Sequence, residues 1–167
     1  MPEKRSNTGL IVALIVVSVW LISIILLMHL QVNFSNPLHY LLIFVQMHLY
    51  TGLFITAHDA MHGTVSANRK LNNATGQLCT MLYACFPFHR LNSKHHEHHK
   101  YVHTDRDPDY YEGAFFPWYL KFIREYLSVW QIIVMALIFN VLKLWVNEVN
   151  LLLFWVLPSL LSTMQLF

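Results

Sequence analysis

Histidine is the residue in this chain that most invites a chemical reading: there are 11, as many as Lys and Arg together. His58 and His62 form an H-x-x-x-H pair. Residues i and i+4 of a helix share one face, with Cβ atoms about 5–6 Å apart, so two imidazoles can converge on one metal ion. His95, His98 and His99 form H-x-x-H-H, and offsets of three and four again select a single helical face. Taken alone, an H-x-x-x-H pair is more often packing or chance, and a His-rich polar helix is more often a solvated surface. Two such groups in one region, beside segments apolar enough for a bilayer, favour a metal site.

Several metal motifs fail on inspection. A zincin requires H-E-x-x-H; Glu97 follows His96, but Lys100 stands where the second His belongs. The run Asp105-Arg106-Asp107-Pro108-Asp109 has the look of a calcium loop, yet Tyr110 and Phe116 occupy the positions of the required Gly and Glu. The Glu-x-x-His pairs of a ferritin-like di-iron site do not occur. Imidazole-rich donors suit iron, zinc, copper or nickel, and spacing does not choose among them.

The elements that must position these groups are membrane helices. Of the 167 residues, 56% are hydrophobic and 12% charged, and mean hydropathy is +0.42; a soluble domain is roughly a quarter charged. The formal net charge of +2 implies no nucleic-acid partner. Leu10 to Leu30 is an apolar run that makes a helix about 31 Å long, close to the hydrocarbon thickness. Lys4 and Arg5 precede it as in a signal peptide, but the run is long for one and no small-residue cleavage site follows, so a retained helix is expected. A second segment runs from Pro37 to about Ala57. Leu71 to Phe88 is shorter and contains Gly76, Thr80 and Pro87, which predicts an interfacial or re-entrant helix. Gln131 to Trp145, beginning near Leu127, and Leu151 to Phe167 read as a second hairpin. The expected fold is all-α: a multi-pass membrane protein of two transmembrane hairpins with a cytoplasmic histidine region, forming a single domain over residues 1–167. Its orientation follows from ten of the 11 basic residues, all but Lys143, which fall before the first helix or in the long middle region; the positive-inside rule places that side in the cytoplasm.

The other histidines have plainer readings. His89, His96 and His103 are expected to be solvated, and His29, His39 and His48 to make hydrogen bonds between helices. Cys79 and Cys85 form no C-x-x-C pair and read as apolar thiols.

Thr56-Ala57-His58-Asp59-Ala60-Met61-His62-Gly63-Thr64-Val65, and Lys94-His95-His96-Glu97-His98-His99 followed by Asp107-Pro108-Asp109-Tyr110, resemble the first two histidine boxes of β-carotene ketolases. Trp118-Tyr119-Leu120, Trp130-Gln131-Ile132-Ile133 and Pro158-Ser159-Leu160-Leu161-Ser162 are also ketolase-like, so the resemblance runs from about residue 10 to the end. These enzymes belong to the membrane-bound desaturase and hydroxylase superfamily. His96 stands where the family usually has Trp, and Tyr110-Tyr111 where an aromatic residue and His are common.

The resemblance implies an iron-dependent oxygenase. His58, His62, His95, His98 and His99 would be ligands of a di-iron centre, with Asp59 a carboxylate that orients an imidazole. The reaction would convert the C4 methylene of a β-carotene ring to a ketone by two hydroxylations and loss of water, using O2. The chain has no nucleotide-phosphate fingerprint and no iron–sulfur cysteine set. Electrons would come from a separate donor such as ferredoxin, and the carotenoid would reach the site from the lipid. A ring hydroxylase or lipid desaturase of the same superfamily is the neighbouring reading. A non-catalytic metal carrier would place its histidines along a path inside the spans, whereas these boxes lie outside them. The family carries a third histidine box after its fourth membrane helix. Here the sequence stops at Met164-Gln165-Leu166-Phe167, so the expectation is a domain truncated at its C-terminal end and inactive by itself.

Overall fold

The computed structural model describes residues 8–165, and all regular structure in them is helical. Lys4 and Arg5, used in the charge argument, and Leu166 and Phe167 lie outside the described residues. Helix α1 (Thr8–Met28) and helix α2 (Pro37–Met61) are long and apolar enough to cross a membrane. Asn36 caps α2 through its side chain, and Pro37 follows at the first turn, where its missing N–H costs nothing. The two helices pair antiparallel. Contacts that climb α1 descend α2: Gly9 with the backbone of Thr64 and Val65, Trp20 edge-on to Tyr50, Ser23 hydrogen-bonded to Gln46 at 2.7 Å, and Leu27 packed with Ile43.

Helix α3 (Arg69–Ala84) is too short to span. It starts level with the end of α2, where Asn72 Nδ2 donates to the Ala60 carbonyl at 2.6 Å. It descends to Tyr83, whose ring meets that of Tyr50, about 16 Å along α2 from Met61. Cys85 then takes a left-handed conformation (φ 57°), and Pro87 starts the return in α4 (Phe88–Tyr101). The α3–α4 hairpin is close because Gly76 faces the Phe88 ring: a Cβ built there would lie 2.3 Å from a ring carbon. The stretch Leu71 to Phe88, expected as one interfacial or re-entrant helix, is most of α3 with the turn into α4, and the hairpin returns α4 to the level at which α2 ends.

Helix α5 (Phe115–Tyr126), absent from the sequence reading, meets α6 (Val129–Leu142) at 82°. Ser128 caps α6 by accepting from the Gln131 N–H at 3.2 Å, which fixes the break. Helix α7 (Glu148–Thr163) contains a π-helical turn at Leu152–Val156. Asn150 Nδ2 donates to the carbonyls of Leu27 and Leu30, tying the start of α7 to the far end of α1. At the other end, the Tyr83 hydroxyl meets Ser162 Oγ at 2.7 Å. Thus α7 runs parallel to α2. The expected second hairpin is therefore shorter and splayed: α6 and α7 touch through the stacked Phe139 and Trp155 rings, 6.3 Å apart, and a cavity opens between them.

Candidate metal centre

Helix α2 continues one turn past the expected Ala57. His58 lies in its last turn and His62 is its C-cap, so their ring centroids are 4.8 Å apart. The returning α4 brings His95 to 4.5 Å from His58 and 4.7 Å from His62. His95 Nε2 lies 2.8 Å from His62 Nε2 and 3.0 Å from His99 Nε2. Four of the five box histidines thus form one cluster. Nitrogens of His58, His62 and His95 all lie within 4.8 Å of one another. Three imidazoles bound at 2.0–2.1 Å to a tetrahedral ion stand about 3.4 Å apart, so the donor set suits a first-row metal. Burial and the neighbouring rings of His58, His99, His62 and His96 push the His95 imidazole down to about 3. A neutral ring with a free lone pair is what a metal requires.

His98 stands apart from this cluster, 5.6 Å from His99 between centroids. Its Nδ1 donates to Asp107 Oδ1 at 2.9 Å and lies 3.4 Å from Asp109 Oδ2. Holding Nδ1–H in this way leaves Nε2 as the donor atom. Asp107 is buried; burial raises its carboxyl, but the His98 ring and the N–H groups of Asp109 and His103 outweigh that and hold it below the ordinary value. Burial keeps Asp109 above the ordinary value, against the opposing hydrogen bond from Tyr126. That bond, Tyr126 Oη to Asp109 Oδ1, is 2.5 Å long.

Asp59 was the expected orienting carboxylate. It is exposed, and its Oδ1 is 3.9 Å from His58 Nδ1, too far for a hydrogen bond. Asp107 and Asp109, read only as a failed calcium loop and as part of the second box, stand nearest to an imidazole. His96 turns to the Asn92 carbonyl at 2.7 Å. His103 and His89 are exposed. His39 accepts from the Asn33 N–H at 2.9 Å, a local turn contact instead of the expected bond between helices. His48 bonds within α2 to Phe44 and meets Gln165 Nε2 at 3.3 Å. Cys79 and Cys85 are free thiols.

Beside the histidines is a cavity of about 260 Å³ with His58, His95, His98 and Asp109 in its wall. A second cavity, about 450 Å³ and almost wholly apolar, lies among the end of α3, α5, α6 and α7. Tyr83, Phe86, Phe122, Tyr126 and Thr163 line both. The bend between α5 and α6 leaves Phe122 and Tyr126 of α5 in the walls of both.

The chain is 41% identical over 139 residues to a β-carotene 4-ketolase 3 of Haematococcus lacustris, a match covering 80% of this chain and 43% of that protein. It is 42% identical over 125 residues to a β-carotene ketolase of Paracoccus sp., covering 71% and 50%. It is 43% identical over 124 residues to a zeaxanthin 4-ketolase of Chlamydomonas reinhardtii, covering 71% and 28%. The chain thus spans half or less of the length of these curated relatives. No solved structure matches it significantly. The fatty acid desaturase family matches residues 35–149, a segment that holds both histidine boxes and the helices that bring them together, and the chain belongs to that family.

Proposed function

We propose that the chain carries histidine boxes of a carotenoid 4-ketolase, which oxidises the C4 methylene of a β-carotene ring to a ketone with O2. The observation that supports this reading is a pair of adjoining cavities: an apolar one among the helices shares five wall residues with one whose wall holds His58, His95 and His98. A C40 hydrocarbon dissolves in lipid, so its ring reaches such a site without crossing water. The 450 Å³ cavity receives the polyene, and the smaller one receives the ring.

His58, His62, His95 and His99 supply one group of imidazole donors, and His98, oriented by Asp107, supplies a fifth donor from the side. The centre is di-iron. Iron there supplies the oxygen activation that an unactivated methylene requires and that no side chain provides. The chain's own residues hold the metal, fix the ring against it, and keep water away from the reacting carbon through the apolar lining of Phe54, Met61, Phe86 and Leu91. A separate donor of the ferredoxin type supplies electrons. The protein is multi-pass, with the histidine region on the cytoplasmic side, as the distribution of basic residues supports.

The test is expression in a β-carotene-producing host, both of this chain alone and of this chain joined to the C-terminal portion of the Paracoccus relative. Extracted pigments are then separated. Keto-carotenoid from either supports the reading. Hydroxylated carotenoid alone transfers the assignment to a ring hydroxylase, and unaltered β-carotene from both overturns it.

A further inference from the structure

The wall of the cavity beside the histidines is largely apolar; besides His58, His95 and His98, its polar residues are Tyr83, Thr163, Asp109 and Tyr126. Asp109 and Tyr126 stand side by side in its wall, joined by the 2.5 Å bond from the phenol to Asp109 Oδ1. The pair belongs to the cavity by construction. Asp109 follows the loop that holds His98, its Oδ2 being 3.4 Å from His98 Nδ1. Tyr126 closes α5, where its ring packs against Phe122, 4.5 Å between centroids, and the Lys94 ammonium lies 5.5 Å from the ring centre. A wholly hydrocarbon substrate has no use for such a pair. Burying a carboxylate and a phenol against it costs free energy that a hydrocarbon cannot return.

We propose that Tyr126 and Asp109 form a hydrogen-bonding subsite for a hydroxyl group on the substrate ring. The inference rests on the carotenoid reading given above. The Tyr126 hydrogen is committed to Asp109, so its oxygen offers lone pairs to the cavity, and Asp109 Oδ2 offers another acceptor. An alcohol is a donor that either oxygen can receive; a bare methylene is not. Two alcohols share this chemistry. One is borne on C4 itself, as after a first hydroxylation, and its retention would favour completion to the ketone. The other is borne on the adjacent C3. Both place an O–H within a bond or two of the reacting carbon, which is where this polar pair adjoins the His98 wall. The other hydroxyls in the wall are already engaged, Thr163 by Tyr119 at 2.6 Å and by the Leu160 carbonyl, and Tyr83 by Ser162 at 2.7 Å.

The experiment reads binding, so it does not depend on turnover. The purified full chain in detergent is incubated with β-carotene, with zeaxanthin (hydroxyls on C3) and with a carotenoid hydroxylated on C4, and pigment retained per protein is measured by absorbance after gel filtration. The expected result is that at least one hydroxylated pigment is retained in preference to β-carotene. In Tyr126→Phe that preference falls roughly two- to tenfold, the range of one net hydrogen bond. The arm in which it falls identifies the hydroxyl position. Phe122→Leu reshapes the same wall without a polar change, and there total retention shifts while the ratio stays. Gel-filtration profiles verify that each variant is folded. If wild-type protein retains both classes but without preference, or if neither Tyr126→Phe nor Asp109→Ala lowers the ratio, the subsite is refuted and the carotenoid reading survives. If wild-type protein retains no carotenoid of any kind, both fail together.

Discussion

His98 Nδ1 lies 2.9 Å from Asp107 Oδ1, with the carboxylate buried and the imidazole facing the cavity. Asp107 also accepts from the backbone N–H groups of His103 and Asp109. It thereby fastens the loop after α4 to the one box histidine that stands outside the four-ring cluster. A carboxylate so anchored fixes both the tautomer and the direction of its histidine.

Asp107→Asn removes the charge and keeps the shape. Metal affinity, followed through the visible spectrum of Co(II) added to purified protein, is expected to fall about 10–100-fold. Asp59→Asn, at an exposed carboxylate 3.9 Å from its imidazole, is expected to change it less than about threefold, since an exposed pair of this kind contributes little. Equal losses in the two variants would deny Asp107 its orienting role.

Removing a ring from the cluster tests the donor set directly. His62→Ala and His95→Ala are expected to abolish stoichiometric iron in protein purified from iron-supplemented cells. His96→Ala, whose ring faces the Asn92 carbonyl, retains most of it. Iron content in His95→Ala equal to that of the parent would exclude His95 as a ligand.

The His95 ring, held at about 3 by burial and its four imidazole neighbours, sets a pH dependence. An unfolded histidine titrates near about 6.5. Between these values the unfolded chain binds the additional proton, so metal-free protein loses stability as pH falls from about 6.5 toward 3. Thermal unfolding in detergent is expected at a lower temperature at pH 5 than at pH 7.5, with a smaller difference in His95→Gln. A transition that moves upward on acidification would contradict the assignment.

Gly76 is the contact point of the α3–α4 hairpin. In Gly76→Ala the new methyl meets three Phe88 ring carbons at 2.3, 2.5 and 2.7 Å, and Phe88 is only 6% exposed, so its ring has little room to withdraw. Overpacking of this kind costs about 1–3 kcal/mol. A lowered melting temperature is expected, with partial recovery in Gly76→Ala/Phe88→Leu. No recovery would place the strain elsewhere.

Topology can be read with reporters. Asn150 caps the far end of α1, whereas Ser66 lies beside Asn72, just past the end of α2. Fusions at Ser66 and Asn150 should report cytoplasm and exterior respectively. The reverse at both sites would overturn the orientation drawn from the basic residues.

The sequence by itself determined what depends on neighbours along the chain. Apolar runs with Asn36, Pro37 and Ser128 at their starts specify α1, α2 and α6, because caps and hydropathy are local. The i, i+4 spacing alone puts His58 beside His62, since helix geometry fixes it. Even α5 had a legible signal in Phe115, Tyr119, Phe122 and Tyr126, three or four positions apart, although charged neighbours hid it from a hydropathy reading. Only the tertiary structure decided that His62 and His95, 33 positions apart, share one cluster, because that depends on the depth at which α3 turns back and on how closely Gly76 admits Phe88. The same packing, and not the spacing of the box, separates His98 from its helical neighbours: the following loop folds back to present Asp107, and one hydrogen bond redirects the ring. The apolar cavity is likewise tertiary, because α5 and α6 meet at 82° and leave between α6 and α7 a space that no residue-by-residue pattern encodes.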